Sequence, residues 1–137
     1  MNCGTVLYDT QFQFPNGDII DKLIIVFGDL GTDYLVAQTT RQKKVKKENI
    51  GCQPSDQPHN FFIPKNTHWF EDNTWVLLNE VFEYNFDTFA HKKEGKIVQH
   101  RHVLSKEIMK QILGCALQSD DIEEFYLEFI QRSYDQL

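Results

Sequence analysis

The chain has 137 residues, 41% of them hydrophobic, and a formal net charge of −6. That length fits one domain that can bury a core without staples, and 11 phenylalanines exclude wholesale disorder. No apolar run approaches the roughly 18 residues of a membrane helix, and net acidity argues against non-specific coating of DNA.

The N-terminus, MNCGTVLYD, has no basic segment followed by an apolar one, so a cytoplasmic location is expected by default. Residues 4–9 read as a first strand. Phe12 and Phe14 then alternate with Gln11 and Gln13 before a PNGD turn at 15–18. Residues 22–28 form the strongest strand, apolar on consecutive positions and therefore central. DLGTD at 29–33 is the next turn, and residues 34–40 answer it. Antiparallel pairing makes Lys22 and Thr40 neighbours. A cation beside a hydroxyl can hold a phosphate, or both can face solvent at the rim of a small β fold.

Directly after the threonines comes RQKKVKK, with five cations in seven positions: Arg41, Lys43, Lys44, Lys46 and Lys47. Such a run is either a solvated loop or a contact to a nucleic-acid backbone. Residues 41–58 read as a long polar connection. Short strands are expected at 60–64 and 74–78, with Val81 and Phe82 extending the latter past a bend. Five or six short strands joined by polar turns suggest a small, curled antiparallel β barrel.

After HKKEG at 91–95 the period changes. Ser105 is a good N-cap. Ile108, Met109, Ile112, Leu113, Ala116 and Leu117 recur at three and four, which predicts a helix over 106–118. Ile122, Phe125, Tyr126, Phe129 and Ile130 make a second stripe and predict a helix near 121–133. The expected fold is thus mainly β with C-terminal helices. Residues 1–119 make the barrel unit, and 120–137 make an acidic, aromatic extension. That extension can pack on the barrel, build a homodimer face, or cover the basic surface at 41–47.

Cys3, Cys52 and Cys115 are scattered, with no zinc-site spacing, so three reduced thiols and no metal or cofactor are expected. His100 and His102 flank Arg101. In an extended segment both imidazoles share one face and suit a general acid–base pair, with Arg101 pointing oppositely. His59 and His68 sit beside aromatic residues and suit contacts with bases. Trp69 and Phe70 suit a stacking platform, and Trp75 reads as core.

The order of Gly4, the loop 10–21, KLIIV at 22–26, AQTT at 37–40, NTWVLLNEV at 73–81 and the helix 106–118 resembles the MazF/PemK-like toxin family. The resemblance implies an SH3-like β barrel, a homodimer, an antitoxin partner and metal-independent cleavage of single-stranded RNA. It places Lys22 at the family's phosphate-clamping arginine and Thr40, or Thr39 in a shifted register, at its threonine; Arg41, turned inward, could supply the bidentate fork that a lysine lacks. The remaining cations and Arg101, His59 and Trp69 would bind RNA. The family has Arg-Pro where this chain has Lys22-Leu23. The alternative is therefore a non-catalytic module that binds RNA or a protein.

Overall fold

The structure, a computed structural model, describes residues 1–43 and 48–137. The elements follow in the order β1 (Thr5–Gln13), β2 (Ile19–Asp29), β3 (Asp33–Thr40), β4 (Gly51–Gln53), β5 (Asn60–Ile63) and β6 (Thr74–Leu77). Then come β7 (Phe82–Asn85), α1 (Phe86–Glu94), β8 (Val98–Val103), α2 (Lys106–Ala116) and α3 (Glu124–Asp135). All the ladders are antiparallel. The sheet runs β4-β5-β6-β3-β2-β1-β8, and β7 pairs with the first half of β3.

The apolar run in β2 is explained by burial on both faces. Ile25 and Phe27 join one core with Val6, Ala37 and Val76. Ile24 and Val26 join a second with Leu7, Val36 and Phe82. The first core lies under α2 and α3. The second is closed by aromatic rings, with Phe12 edge-on to both Phe14 and Phe82 and with Phe89 of α1 against Tyr84.

Beside the second core, Asp9 is fully buried. Its carboxylate accepts hydrogen bonds from the Tyr84 hydroxyl at 2.6 Å and the Lys92 ammonium at 2.9 Å. Lys92 also donates to the Gln11 carbonyl at 2.8 Å, which ties α1 to an irregular stretch of β1.

The sheet is open. Its path ends on β4 at one side and β8 at the other, and no ladder joins these strands among the described residues. The expected closed SH3-like barrel is therefore not formed, and the chain is a mixed α/β domain rather than a mainly β one. The reason lies in how the first core is covered. Ile108, Met109, Ile112 and Leu113 of α2 bury the face that closure would bury. In addition, β3 splits its free edge between β7 and β6, so the sheet forks instead of curling.

The helix expected at 106–118 is present, and the Ser105 side chain caps it by accepting from the Ile108 N–H at 3.3 Å. Its close approach needs Gly4. A Cβ there would meet Met109 Cγ at 2.9 Å, and the backbone sits at φ +95. The second expected helix is α3, starting three residues later than predicted. Its stripe packs in part: Ile130 is fully buried and a Cβ on Gly28 would lie 2.8 Å from the Phe129 ring, while Phe125 is 61% exposed.

Helix α1 was not expected, and the polar segment 91–95 is largely its last turn. The helix buries no residue, so it carries no apolar stripe. Its sequence signal is the cap: Asn85 Oδ1 accepts from the N–H groups of Asp87 and Thr88.

Candidate functional site

A cleft of about 910 Å³ opens at the strand ends where Lys22 and Thr40 meet. Pairing of Ile24 with Gln38 carries β2 and β3 toward this juncture, so the hairpin geometry read from the sequence is realised. Lys22 Nζ donates to the Thr39 carbonyl at 3.4 Å. The Thr39 hydroxyl is turned away and donates to the Leu23 carbonyl at 2.8 Å. Thr40 Oγ1 accepts from the Gln42 N–H at 3.2 Å.

Among the described residues four cations line the cleft: Lys22, Arg41, Lys65 and Arg101. Asp21, Glu71 and Asp72 are their counter-charges. Arg41 forms an exposed ion pair with Asp72 at 3.1 Å. Tyr8 donates its hydroxyl proton to Asp21 at 2.9 Å, and this bond, more than desolvation, raises the Tyr8 pKa. The Arg101 guanidinium lies 5.0 Å from the centre of the Tyr8 ring.

Trp69 completes the lining. It is 41% exposed, held at φ +82, and packed face to face on His102 with ring centroids 5.3 Å apart. The histidine pair does not form. The register of β1 and β8 slips between Val6 and Leu7, where Val6 faces His102 and Leu7 faces His100. Paired residues share a face and adjacent strand residues do not. The irregularity therefore sends the two imidazoles to opposite faces, and Arg101 joins the face of Tyr8 rather than opposing His102.

His59 is elsewhere. It is 4% exposed, and its Nε2 faces Cys115 Sγ at 3.3 Å and Cys52 Sγ at 3.8 Å. It cannot act as a base contact in the cleft. Desolvation, the largest influence, lowers its pKa against the raising effects of Asp121, Asp120 and Asp56. Cys52 and Cys115 are joined as a disulfide, so only Cys3 of the three cysteines is a free thiol.

Lys43 is described outside the cleft lining, with Nζ 3.8 Å from Glu48. Lys44, Lys46 and Lys47 lie outside the described residues. No residue of 120–137 lines the cleft. Sequence reasoning missed Lys65, Tyr8 and Asp72, which stand in three separate segments with no shared motif.

Comparison of the chain with protein-family models, curated proteins and solved structures finds no match. Together with the open sheet, this overturns the resemblance to the MazF/PemK-like toxins, and with it the toxin–antitoxin identity.

Proposed function

We propose that the cleft binds single-stranded RNA. Lys22, Arg41, Lys65 and Arg101 would hold phosphates, and the exposed face of Trp69 would stack a base. The observation that carries this reading is convergence. A chain with net charge −6 gathers four cations from four segments around an exposed indole. Cations that follow a backbone, with an aromatic platform beside them, are what an unpaired strand needs. A cytoplasmic location belongs to this proposal. Among the described residues no helix is long and apolar enough to cross a membrane.

A second reading adds metal-independent cleavage of the bound strand. It is favoured by Lys22, whose ammonium is fixed at the Thr39 carbonyl beside Thr40 and Arg41. In that reaction the 2′-hydroxyl gives up its proton to water and its oxygen attacks the adjacent phosphorus, while the bond to the 5′-oxygen breaks and that oxygen takes up a proton. Lys22 and Arg41 would offset charge on the phosphoryl oxygens. His102, beneath Trp69, is the imidazole on this face.

The test is binding of labelled single-stranded RNA across salt concentrations, with chelator present. Four phosphate contacts give a log–log slope of about −3 for a single strand. Lys22→Ala and Arg101→Ala should each weaken binding and flatten that slope. A flat salt response would exclude RNA and leave a protein partner. Appearance of cut products that Lys22→Ala abolishes would establish the second reading.

A further inference from the structure

We propose that Cys52, His59 and Cys115, once the disulfide is reduced, form a binding site for a thiophilic divalent cation such as Zn²⁺. The disulfide is then the metal-free form of the same site. The three side chains come from β4, the residue before β5, and α2. Their ligand atoms all lie within 4.8 Å of one another. They are separated in sequence by 7 and 56 residues, which is why no zinc-type spacing is visible.

In the disulfide form the imidazole nitrogen already stands near both sulfurs. A tetrahedral zinc with ordinary bond lengths separates a ligating nitrogen from a ligating sulfur by about 3.5 Å. The observed Nε2–Sγ distances of 3.3 and 3.8 Å bracket that value. One imidazole nitrogen is aimed at both sulfurs. The Cα atoms of the cysteines are 5.4 Å apart, so the sulfurs separate by side-chain rotation once the bond between them is broken. The surroundings also favour a cation, since Asp56, Asp120 and Asp121 all act electrostatically on His59. Cys52 and His59 differ in exposure, the former half-buried and the latter buried. The site thus has a solvent side, where water can supply a fourth ligand.

The conversion balances as follows. A trialkylphosphine delivers two electrons to the disulfide and becomes its oxide. Water supplies the oxygen and two protons, leaving two thiols. The cation then displaces both thiol protons and binds two thiolates and the neutral imidazole. In a reducing compartment the dithiol, and hence the metal form, is favoured. This site is separate from the RNA cleft, and its test does not depend on RNA.

The experiment uses the full chain. One sample is left oxidised and one is reduced with a phosphine, and Zn²⁺ affinity is measured by competition with a chromophoric chelator. Co²⁺ then serves as a spectroscopic probe for thiolate ligation. The reduced protein should bind one Zn²⁺ at least tenfold tighter than the oxidised protein, and Co²⁺ should show sulfur-to-metal charge-transfer absorption. His59→Gln should weaken binding at least tenfold, and Cys3→Ser should leave it unchanged. Equal affinity in the oxidised and reduced samples would overturn the proposal without recourse to a variant. So would tight binding that survives His59→Gln or is lost with Cys3→Ser.

Discussion

Asp72 holds Arg41 in the lining of the cleft, carboxylate to guanidinium at 3.1 Å, with both side chains more than half exposed. An exposed pair of this kind adds little stability. Its effect on a bound polyanion is larger, because the carboxylate neutralises a cation that a phosphate would use. Asp72→Asn should therefore tighten binding of single-stranded RNA severalfold and steepen the salt slope by about 0.7. Thermal stability should stay nearly unchanged. An unaltered slope would mean that Arg41 does not reach a phosphate.

In the proposed RNA complex Trp69 would make a different kind of contact. One face of its ring is occupied by His102, which fixes the orientation of the indole. Stacking of a base on the exposed part of the ring would be worth about 1–3 kcal/mol by alanine substitution. Trp69→Ala should weaken RNA binding about 5- to 150-fold without changing the salt slope, since no charge is removed. Quenching of tryptophan fluorescence on titration with RNA reports the contact directly. Trp75 will not contribute to it, being 1% exposed and packed on Phe62.

The hairpin that brings Lys22 to Thr40 was legible because its signals are local: a β-rich run, a turn rich in Gly and Asp, a second run. Helix α2 was legible for the same reason, with its cap and stripe both in one segment. The open sheet was not. Whether strands close into a barrel depends on which element covers their shared face, and the stripe on α2 does not say where it docks. The fate of the histidines turned on one register slip between Val6 and Leu7, which alternation in the QHRHV segment cannot reveal. The disulfide and His59 meet only because α2 crosses β4 and β5, a contact between residues 56 or more apart.

The buried network at Asp9 is where a single substitution should cost most. Asp9 is fully buried, and its carboxylate serves the Tyr84 hydroxyl, the Lys92 ammonium and the Gln11 N–H. Asp9→Ala leaves the Tyr84 phenol without its acceptor and the mostly buried Lys92 ammonium without its counter-charge, though still donating to the Gln11 carbonyl. Breaking such a pair on one side costs about 3–5 kcal/mol. Urea denaturation should show that loss as a lower midpoint with a similar slope. Lys92→Met should cost less, because Tyr84 still donates to the carboxylate. Equal losses for the two variants would mean that carboxylate and ammonium stabilise the fold only as a pair.

Alkaline pH should weaken the fold through groups held neutral in the native state, Cys3 and Tyr84 foremost. Desolvation pushes the Cys3 thiol up to about 11 from its ordinary 9.0. Burial, and then the hydrogen bond to Asp9, raises the Tyr84 phenol well above its ordinary 10.0. In both cases the unfolded chain loses its proton first. The unfolded state therefore binds fewer protons than the native state, and stability falls as pH rises. For Cys3 the loss begins near pH 9 and is complete once pH passes about 11. Tyr84 adds to it only above pH 10. Denaturation midpoints measured from pH 8 to 11 should decline, and Cys3→Ala should remove the part of the decline that begins near pH 9. The same elevation lowers the already small thiolate fraction of Cys3 at pH 8, so alkylation of the folded protein there should be slow and should quicken on unfolding. A Cys3→Ala profile that matches the wild-type profile would show that this thiol does not titrate differently in the two states.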